Sequence, residues 1–333
     1  MSSDNSFTFI PLGAIIQEFK VGGQNIVQGF PSSKQYKKYN TPYFGETIGR
    51  IANRVSNAKI NDLNGKSYQL PVNNGPNSLH GGVMGWGKQE FKGPTSVQRN
   101  GKDAVFFKYL SKDGEEGYPG TVEVRVWYVQ EKDQDNGVEK EVLHIEYEAE
   151  LVGDKVAETA INMTNHSYFN ISDGPTITGT EVTLITSKYQ VVDSGGIPTG
   201  PIENYTGVNP NETFTLGEKE PDIDDCFVVN TDPATIPIDT RSLPLQKIAS
   251  FFHPTTKIHL EISSTEPAFQ FYTGKYIDVA AVDGLPARGA RSGFCVEPSR
   301  YVNAINIPEY KAMMVLKKGE LYGSKIVYRG WKA

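Results

Sequence analysis

Residues 122–129 read VEVRVWYV, a run in which every second position from Val122 to Tyr128 is apolar. Glu123 and Arg125 stand between these apolar positions and would point to the opposite side. A period of two is typical of a β-strand that turns one face to a core and the other to solvent, as strands of antiparallel sheets do. The stretch therefore predicts a half-buried antiparallel strand.

Two other stretches repeat this pattern, HIEYEAEL at residues 144–151 and KIHLEIS at residues 257–263. The side chains expected to face the core are Ile145, Tyr147, Ala149, Leu151, Ile258, Leu260 and Ile262. The solvent-facing residues of the first stretch are expected to be His144, Glu146, Glu148 and Glu150. Between the strands, DQDNG at residues 133–137 predicts a hairpin turn, because Asn-Gly tolerates positive φ.

Elsewhere the chain shows short runs separated by Gly, Pro, Asn and Asp, and no helical period is sustained beyond about two turns. This pattern predicts an all-β fold, a large antiparallel β-sandwich with very little helix, whose loops and strand ends build the functional site. We interpret residues 1–333 as a single domain, with residues 1–6 frayed. The longest irregular section is expected at residues 193–225, and a loop of that length is usually functional or mobile.

The composition narrows the class of partner. A formal net charge of −6 argues against a nucleic-acid surface, because such a surface needs a basic face. No apolar run approaches the ~18 residues of a membrane span, and the first residues do not resemble a secretory signal. The two cysteines, Cys226 and Cys295, are too few for a disulfide framework and fit a reducing cytosol. We therefore expect a cytoplasmic protein that binds a small molecule, with neither nucleic acid nor membrane as partner.

The strongest candidate for chemistry is TNHSYFN at residues 164–170, where His166 lies among amides, hydroxyls and aromatic rings. Its expected partner is Glu297, one carboxylate in the otherwise apolar run FCVEP at residues 294–298. A histidine and a glutamate supplied by distant segments are the minimum for paired acid and base catalysis. We expect the fold to bring His166 and Glu297 into one pocket.

The remaining histidines differ in their surroundings. His144 and His259 fall on the polar faces of alternating strands, and His253 lies in a loop before a proline. His80 is followed by two glycines, where the backbone can approach a ligand closely. A structural capping role remains open for both His80 and His166. These two are not spaced as a local ligand pair and no C-x-x-C pair exists, so we expect no metal, although a site assembled from distant residues stays open.

Other candidate residues suit a polyhydroxylated sugar, which needs alternating hydrogen-bond donors and acceptors. They are Asn53, Arg54, Asp224 and Gln270. Taken singly, each has an ordinary structural alternative, such as a salt bridge for the arginine, an Asx turn for the aspartate or a sheet-facing amide for the glutamine. Arg288 and Arg291, in a Gly-rich loop before Glu297, are expected to be solvated, although they could meet a phosphate.

Taken together, seven motifs occur in one order along the chain, from about residue 13 to about residue 329. They read GRIANR (49–54), NSLHGG (77–82), DGEEGYPG (113–120), TNHSYFN (164–170), IPTG (197–200), QFYTG (270–274) and GFCVEP with a following AIN (293–298, 304–306). The chain thereby resembles the aldose 1-epimerase (galactose mutarotase) family. That resemblance implies the galactose mutarotase-like supersandwich.

The resemblance also implies roles for individual residues. His166 matches the general acid of the family and Glu297 its general base. The residues that match its sugar-binding positions are Asn53, Arg54, His80, Tyr168, Asp224 and Gln270. The implied activity is interconversion of the α and β anomers of a free hexose, galactose or glucose, with no cofactor. In this mechanism Glu297 is ionised and His166 protonated.

The chain departs from the family at several positions. The family histidine after the sugar-binding aspartate is replaced by Asp225, Ser299 follows Glu297-Pro298 in place of glutamine, and Trp86-Gly87 replaces Phe-Asp. The residues after Ser299 also differ: the family's Y-P-D-A-I-N reads YVNAIN at residues 301–306. If Asp224 and Asp225 begin a strand, their side chains leave opposite faces, so that Asp224 reaches the sugar.

Two rival functions stay open at this point. One is a glycoside hydrolase on a related sandwich, with Glu297 and Asp224 as its two carboxylates. The other is a sugar-binding or regulatory homologue with little turnover. The chain is expected to be a monomer or homodimer. Its two cysteines are expected to line or underlie the pocket as packing residues and not to act as nucleophiles. The sequence does not identify the preferred aldose, and it does not show whether the chain came from a larger fused enzyme.

Overall fold

The computed structural model describes residues 6–135, 137–282 and 284–333. The fraying expected at residues 1–6 falls almost entirely outside these ranges, as does Asn136 of the expected hairpin turn. Ser6 is described, and its carbonyl accepts a hydrogen bond from the backbone N–H of Lys20 at 2.7 Å. Among the described residues, no helix is long and apolar enough to cross a membrane.

The regular elements of the described residues are mostly short strands. Up to residue 135 the strands are β1 (Phe7–Ile10), β2 (Ile15–Val21), β3 (Gln24–Asn25), β4 (Glu46–Ile48), β5 (Arg54–Val55), β6 (Lys59–Leu63), β7 (Lys66–Gln69), β8 (Ser78–Leu79), β9 (Lys92–Arg99), β10 (Lys102–Ser111) and β11 (Thr121–Asp135). From residue 138 they are β12 (Val138–Val152), β13 (Glu158–Ala160), β14 (Thr164–His166), β15 (Tyr168–Phe169), β16 (Glu181–Leu184), β17 (Lys188–Val192), β18 (Pro198–Asn204), β19 (Thr213–Thr215), β20 (Asp224–Val228), β21 (Gln246–His253), β22 (Ile258–Ser264), β23 (Ala268–Tyr272), β24 (Phe294–Ser299), β25 (Val315–Lys317) and β26 (Leu321–Lys332).

Helical structure is sparse, as the sequence predicts. Within the described ranges the one α-helix is α1 (Ser33–Tyr39), whose first turn is capped by the Ser32 side chain. The 3₁₀ turns are Ser56–Ala58, Trp86–Lys88, Glu115–Gly117, Pro233–Thr235, Ala304–Asn306 and Lys311–Met313.

The larger sheet has the strand order β19-β16-β21-β22-β26-β12-β11-β10-β9. Strands β11 and β12 pair antiparallel from Thr121 opposite Val152 to Asp135 opposite Val138. The predicted strands at residues 122–129, 144–151 and 257–263 all lie in this sheet, in β11, β12 and β22. The prediction of antiparallel strands is confirmed.

The smaller sheet has the order β15-β24-β23-β20-β17-β18, and one of its faces packs on the larger sheet. Phe251 of β21 stacks on Phe294 of β24 with ring centroids 4.2 Å apart, and it also contacts Phe271 of β23 at 6.0 Å. These contacts join the two sheets face to face through an apolar core. The architecture is therefore the antiparallel sandwich that the sequence predicts.

Alternation along the smaller sheet separates core from site. The residues on its core face are Phe169, Phe227, Phe269, Phe271, Phe294 and Val296. The alternate residues, on what we call the site face, are Tyr168, Asp224, Gln270, Tyr272, Cys295 and Glu297. Because successive side chains leave opposite faces of a strand, the same short strands hold the sandwich together and present polar groups on the other side.

The outer face of the larger sheet differs from its sequence prediction. Glu146 and Glu148 are expected in solvent, yet they are 5% and 7% exposed. The Arg99 guanidinium lies 2.8 Å from the Glu146 carboxylate and 2.6 Å from that of Glu148, and Arg125 and Arg241 also pair with Glu148. Long arginine side chains from neighbouring segments therefore cover these carboxylates, and the expectation of solvent exposure is wrong.

The section expected to be irregular at residues 193–225 contains regular structure. Strand β18 (Pro198–Asn204) forms an edge of the smaller sheet, and β19 (Thr213–Thr215) forms an edge of the larger one. Edge strands tolerate Pro and polar residues because one side of their backbone needs no partner strand. The Gly- and Pro-rich composition therefore marks sheet edges here, and the prediction of one long loop is wrong.

Candidate active site

A cavity of about 330 Å³ lies over the site face of the smaller sheet. Its volume is at the lower end of the range of about 300–1,000 Å³ that small-molecule pockets occupy. The eight residues predicted from the sequence all line it: Asn53, Arg54, His80, His166, Tyr168, Asp224, Gln270 and Glu297. Segments separated by more than 240 positions in the sequence thus meet at one place.

The centre of the cavity is formed by His166 and Glu297, each 4% exposed. His166 ends β14, which pairs with β4 so that His166 lies opposite Glu46. Glu297 stands on β24, opposite Gln270 of β23. The Nε2 atom of His166 lies 3.4 Å from Oε1 of Glu297. The two residues predicted as acid and base therefore lie side by side in the cavity, at a separation longer than a normal hydrogen bond.

A relay of amide hydrogen bonds forms one wall. Asn53 donates through Nδ2 to Oε1 of Gln270 at 3.0 Å, and Gln270 donates through Nε2 to Oδ1 of Asp224 at 2.8 Å. Each bond fixes which end of the amide faces which way. The relay holds three sugar-binding candidates in a defined order of donors and acceptors.

Asn53 and His80 fix each other through their backbones. The N–H of His80 donates to the Asn53 carbonyl at 3.1 Å, and the N–H of Asn53 donates to Nδ1 of His80 at 3.2 Å. Both residues have positive φ, 61° and 52°, a conformation that costs energy in a non-glycine residue and recurs at functional sites. The next residue, Gly81, has to be a glycine, because a Cβ at this position would lie 1.9 Å from the Gly49 carbonyl oxygen.

Arg54 reaches the cavity from β5, where it pairs with Leu79 of β8. Its Nε donates to Oδ1 of Asn74 at 3.0 Å, and its Nη1 lies 3.4 Å from Oδ1 of Asn53. These bonds orient the guanidinium while leaving further N–H groups for a ligand, since arginine carries five. Its positive charge also acts on Glu297, whose pKa it lowers against the stronger opposing effects described next.

Burial disfavours the charged forms of the central pair. It raises the pKa of Glu297 well above its usual value, and the nearby Asp224 carboxylate raises it further. Burial also lowers the pKa of His166 to about 3, with a smaller contribution from Lys88. The sequence-based expectation of an ionised Glu297 and a protonated His166 therefore differs from what burial favours, a protonated carboxyl beside a neutral imidazole.

His80, His166 and Glu297 also form a potential metal-ligand set. Their ligand atoms lie within 4.8 Å of one another, a proximity that sequence spacing does not reveal. A ligating imidazole normally donates its second N–H to an acceptor. In His80 the Asn53 N–H occupies the lone pair of Nδ1, so the proton of the neutral ring lies on Nε2. Neither nitrogen of His80 then offers a lone pair, and the three residues do not fit a metal.

The tautomer of His80 makes it a hydrogen-bond donor. Burial lowers its pKa well below the usual value, and the neighbouring His166, Arg54 and Lys88 act in the same direction. A neutral ring with its proton on Nε2 can donate one hydrogen bond, which suits a sugar oxygen. His80 therefore complements the amides and the guanidinium around it.

The two adjacent aspartates leave opposite sides of β20. Asp224 lines the cavity and accepts from Gln270, whereas Asp225 is half-buried and accepts a hydrogen bond from Tyr205. Burial raises the pKa of Asp225, while a backbone hydrogen bond from Asp224 and the hydrogen bond from Tyr205 act in the opposite direction. The geometry agrees with the expectation that Asp224 faces the pocket and Asp225 does not.

Both cysteines are buried and unpaired. Cys226 lies on the site face, opposite Gln270, but in an apolar cluster outside the cavity, and burial raises the pKa of its thiol to about 12. Cys295 lies next to the cavity, with Sγ 3.5 Å from Nδ1 of His166, and burial raises its pKa as well. Thiols that stay protonated are poor nucleophiles, which supports the prediction that neither acts as one.

The arginines of the Gly-rich loop are neither solvated nor near the central pair. Arg288 is 8% exposed, and its guanidinium stacks on Phe30 at 4.4 Å. Arg291 is 4% exposed and donates to the carbonyls of Gly217 and Pro221 at 2.9 and 3.0 Å. The expectation of solvated side chains is wrong, because both arginines tie loops to the body of the fold.

The other histidines have structural surroundings. His144 pairs with Glu131 at 2.8 Å, and the ring of His259 stacks on Trp331 at 4.7 Å. Both are partly exposed, in keeping with polar-face positions. His253 ends β21, so its expected place in a loop is wrong; it is 5% exposed and lies 3.3 Å from the Thr178 carbonyl.

Some residues that line the cavity were missed from the sequence. Tyr272 follows Gln270 by two positions in β23, so the period of two could have placed it on the site face. Tyr43, at φ 68°, places its ring 5.6 Å from that of His166, and Asn74 and Tyr276 come from irregular segments. No local sequence pattern predicts Tyr43, Asn74 or Tyr276 as cavity residues, because only tertiary contacts bring them there.

Several known proteins resemble this chain in sequence. The family model described as aldose 1-epimerase matches residues 2–329. A bifunctional GAL10 protein of Pachysolen tannophilus is 41% identical over 325 residues, which is 95% of this chain but 44% of that relative. The chain thus spans less than half the length of that relative. A galactose mutarotase of Sus scrofa is 36% identical over 303 residues, covering 90% of this chain and 81% of that protein.

The fold has close counterparts among solved structures. A Caenorhabditis elegans homologue of GalM/aldose epimerase superposes with a TM-score of 0.80 at 25% identity, over 98% of this chain and 95% of that one. The match of the family model over nearly the whole chain and the identity to the pig relative together show the family of this chain. The chain belongs to the aldose 1-epimerase family.

Proposed function

We propose that this protein is an aldose 1-epimerase, an isomerase that interconverts the α and β anomers of a free hexose. The observation that carries this proposal is the His166–Glu297 pair, 3.4 Å apart and buried in a cavity of about 330 Å³ lined by amide, guanidinium and phenol groups. The name of the pig relative favours galactose as a substrate, and glucose differs from it at one hydroxyl.

The proposed reaction needs one acid and one base. Glu297 removes the proton from the anomeric hydroxyl while His166 protonates the ring oxygen, and the bond between C1 and the ring oxygen breaks to give the open aldehyde. Rotation about C1–C2 presents the other face of the carbonyl. The same two groups then return the protons and close the ring as the other anomer.

The proton count of the pair is unchanged by this cycle. With the cyclic sugar, the reactive state is an ionised Glu297 and a protonated His166. After ring opening, the carboxyl holds the proton and the imidazole is neutral, which is the state that burial favours. The protein environment therefore favours the form of the pair that accompanies the open aldehyde, the less stable form of the sugar.

The surrounding side chains would orient the sugar and support the charges. Arg54 can donate charge-assisted hydrogen bonds and lowers the pKa of Glu297, which favours the base. His80 donates one hydrogen bond, and the relay of Asn53, Gln270 and Asp224 offers both donors and acceptors. The ring of Tyr168, 5.1 Å from that of His166, would form an apolar wall.

The reaction as proposed involves no redox change and no metal. Exhaustive chelation is expected to leave the rate unchanged, and a loss of activity restored by a specific divalent ion would contradict this. We further propose that residues 1–333 act as one domain in the cytosol, as a monomer or homodimer. The two unpaired cysteines support a reducing compartment. Light scattering after gel filtration would measure the oligomeric state.

Polarimetry tests the function directly. Freshly dissolved α-D-galactose or α-D-glucose drifts toward its anomeric equilibrium, and catalytic amounts of the protein are expected to accelerate that drift. A glycoside hydrolase would instead require a glycoside, and a sugar-binding protein without turnover would change neither signal. Absence of acceleration with sugar binding retained would overturn the proposal in favour of the binding protein.

A further inference from the structure

The imidazole of His166 has a second contact, on the side away from Glu297. Its Nδ1 lies 3.5 Å from Sγ of Cys295, and both side chains are buried. Cys295 faces Tyr168 across β24 and β15, and the Tyr168 hydroxyl forms a hydrogen bond with the thiol. The sulfur thus connects two residues of the cavity without lining it.

The chemistry of the pair constrains the proton on Nδ1. Nε2 is the nitrogen that faces Glu297, so it is the one placed to give a proton and take it back. A neutral imidazole can accept at Nε2 only when its remaining proton lies on Nδ1. That N–H needs an acceptor, because an unpaired buried donor is costly.

Two acceptors are available to Nδ1–H of His166. One is the carbonyl oxygen of His166 itself, which already accepts from the backbone N–H of Gly45 at 3.0 Å. The other is the Cys295 sulfur, whose lone pairs can accept weakly. The thiol is the side-chain group within reach among the described residues, and strand β24 places it there by the same alternation that places Glu297.

We propose that Cys295 is a positioning residue for the acid–base pair, accepting a hydrogen bond from Nδ1–H of His166 and so reserving Nε2 for proton exchange. This role rests on the proposed epimerase function. A neutral sulfur is a soft acceptor and adds little stability to an imidazolium, in contrast to a carboxylate in the same place. His166 is thereby held in one tautomer while remaining a strong acid.

Nitrogen NMR tests the tautomer without any assay of activity. In ¹⁵N-labelled protein at pH 7, two-bond correlations distinguish protonated from unprotonated ring nitrogens, and the His166→Asn spectrum assigns the signals. The expected result is a neutral His166 with its proton on Nδ1. A proton on Nε2 would overturn the proposal. The measurement uses the unaltered protein, so a variant that fails to fold cannot leave the proposal untested.

Four substitutions separate positioning from packing. Cys295→Ala removes the acceptor, Cys295→Val removes it while filling the space, and Cys295→Ser keeps one. The first two are expected to lower kcat about 10-fold with KM within about twofold, the effect of losing about one ordinary hydrogen bond, and serine to stay within about threefold of wild type. Cys226→Ala, the other buried thiol, is the matched control and is expected to change neither constant.

Each deviation has a defined meaning. If Cys295→Val retains wild-type kcat, the side chain only fills space and the proposal is wrong. If Cys295→Ser loses as much as alanine, an acceptor is not what matters, and the proposal is again wrong. A protein that fails to catalyse mutarotation but keeps His166 protonated on Nδ1, and loses that tautomer in Cys295→Ala, would overturn the proposed function and leave the Cys295 contact standing.

Discussion

Two buried pairs of ionisable groups in this molecule make opposite use of their hydrogen bonds. In the interior, Arg300 and Glu266 are each less than 4% exposed and form an ion pair. Arg300 also donates to the carbonyls of Met313 and Ile238 at 3.1 and 2.9 Å, and Glu266 accepts from Thr240 at 3.1 Å. The hydrogen-bonding groups of this interior pair are therefore bonded to other groups of the protein.

The site pair, His166 and Glu297, is almost as deeply buried but far less bonded. The imidazole lies 3.4 Å from the carboxylate, and no N–H or O–H of the described residues donates to Glu297 at normal hydrogen-bond distance. A buried polar group without partners lowers stability. The comparison shows that the site pair keeps hydrogen-bonding groups that the fold does not use and that a substrate can therefore bind. Breaking the interior pair should lower stability, whereas breaking the site pair should lower the rate of turnover.

The largest effect is expected at the site pair. Glu297→Gln keeps the shape and removes the base, and His166→Asn removes the acid. General acid–base groups contribute about 10²–10⁴ in rate, so each variant should lower kcat by that order in the polarimetric assay. Thermal unfolding followed by circular dichroism is the control and should show an intact fold. A variant that keeps near wild-type kcat would mean that its residue has been given the wrong role.

The next effect is expected at the interior pair, and on stability. Glu266→Ala leaves the Arg300 charge buried and unpaired, which should cost about 3–5 kcal/mol in the free energy of unfolding. Urea unfolding measures it. The matched control is Glu139→Ala, which breaks an exposed pair with Lys132 and should cost less than about 1 kcal/mol. A loss below about 1 kcal/mol in Glu266→Ala would erase the distinction between the two pairs.

A smaller effect should separate the two neighbouring aspartates. Asp224→Ala removes a cavity acceptor and the partner of Gln270, so kcat/KM should fall by the equivalent of about 1–3 kcal/mol. Asp225→His lies on the opposite side of the strand, by Tyr205, and should change kcat/KM by only a few-fold. Steady-state kinetics on the preferred sugar compares them. If the second variant abolishes turnover while the first is mild, the wrong aspartate has been placed in the cavity.

The smallest effect is a gain in stability that depends on pH. The pKa of Glu297 is raised in the folded protein above its usual 4.5, so its contribution to stability is fully present below about pH 4.5 and is lost as the pH rises through the folded value. Glu297→Gln has no such loss. The free energy of unfolding of this variant should equal that of wild type near pH 4 and exceed it by about 1 kcal/mol at pH 8, which corresponds to roughly 2 °C in Tm.

Scanning calorimetry across this range provides the measurement for Glu297→Gln. Glu266→Gln is the comparison. Burial raises the pKa of Glu266 as well, but the substitution leaves the buried Arg300 charge without a counter-charge, so this variant should be less stable than wild type at pH 8. If Glu297→Gln is less stable than wild type at pH 8, the Glu297 carboxylate has hydrogen-bond partners in the folded protein, and the prediction is wrong.

Much of the sandwich could be predicted because its strands carry a local signal. The alternation in residues 122–129 is visible without knowledge of what covers each face, and β11 pairs as that alternation requires. The covering itself is not local. Glu146 and Glu148 are buried by arginines that come from other parts of the chain, and β18 and β19 are strands because they add to sheet edges.

The candidate site divides in the same way. Seven of the eight predicted residues could be named because each belongs to a recognisable motif. Asp224 was matched to a family position although Asp225 replaces the histidine that follows it, and all eight residues line the cavity. Their protonation could not be inferred, since the pKa values of His166 and Glu297 are set by burial within the folded chain. The same is true of the His80 tautomer, which depends on a single backbone N–H of Asn53.

The alternation along the smaller sheet has a consequence for engineering substrate preference. Side chains at positions 224 and 270 could be randomised in a library without altering the sandwich core, because the residues beside them in the strands make that core. Tyr168 and Tyr272 should be kept, because both pack in a separate buried apolar cluster. Insertion or deletion of a single residue within β24 would have the opposite outcome. It would turn Glu297 toward the interior and a phenylalanine or valine toward the sugar, so length changes belong at the turns.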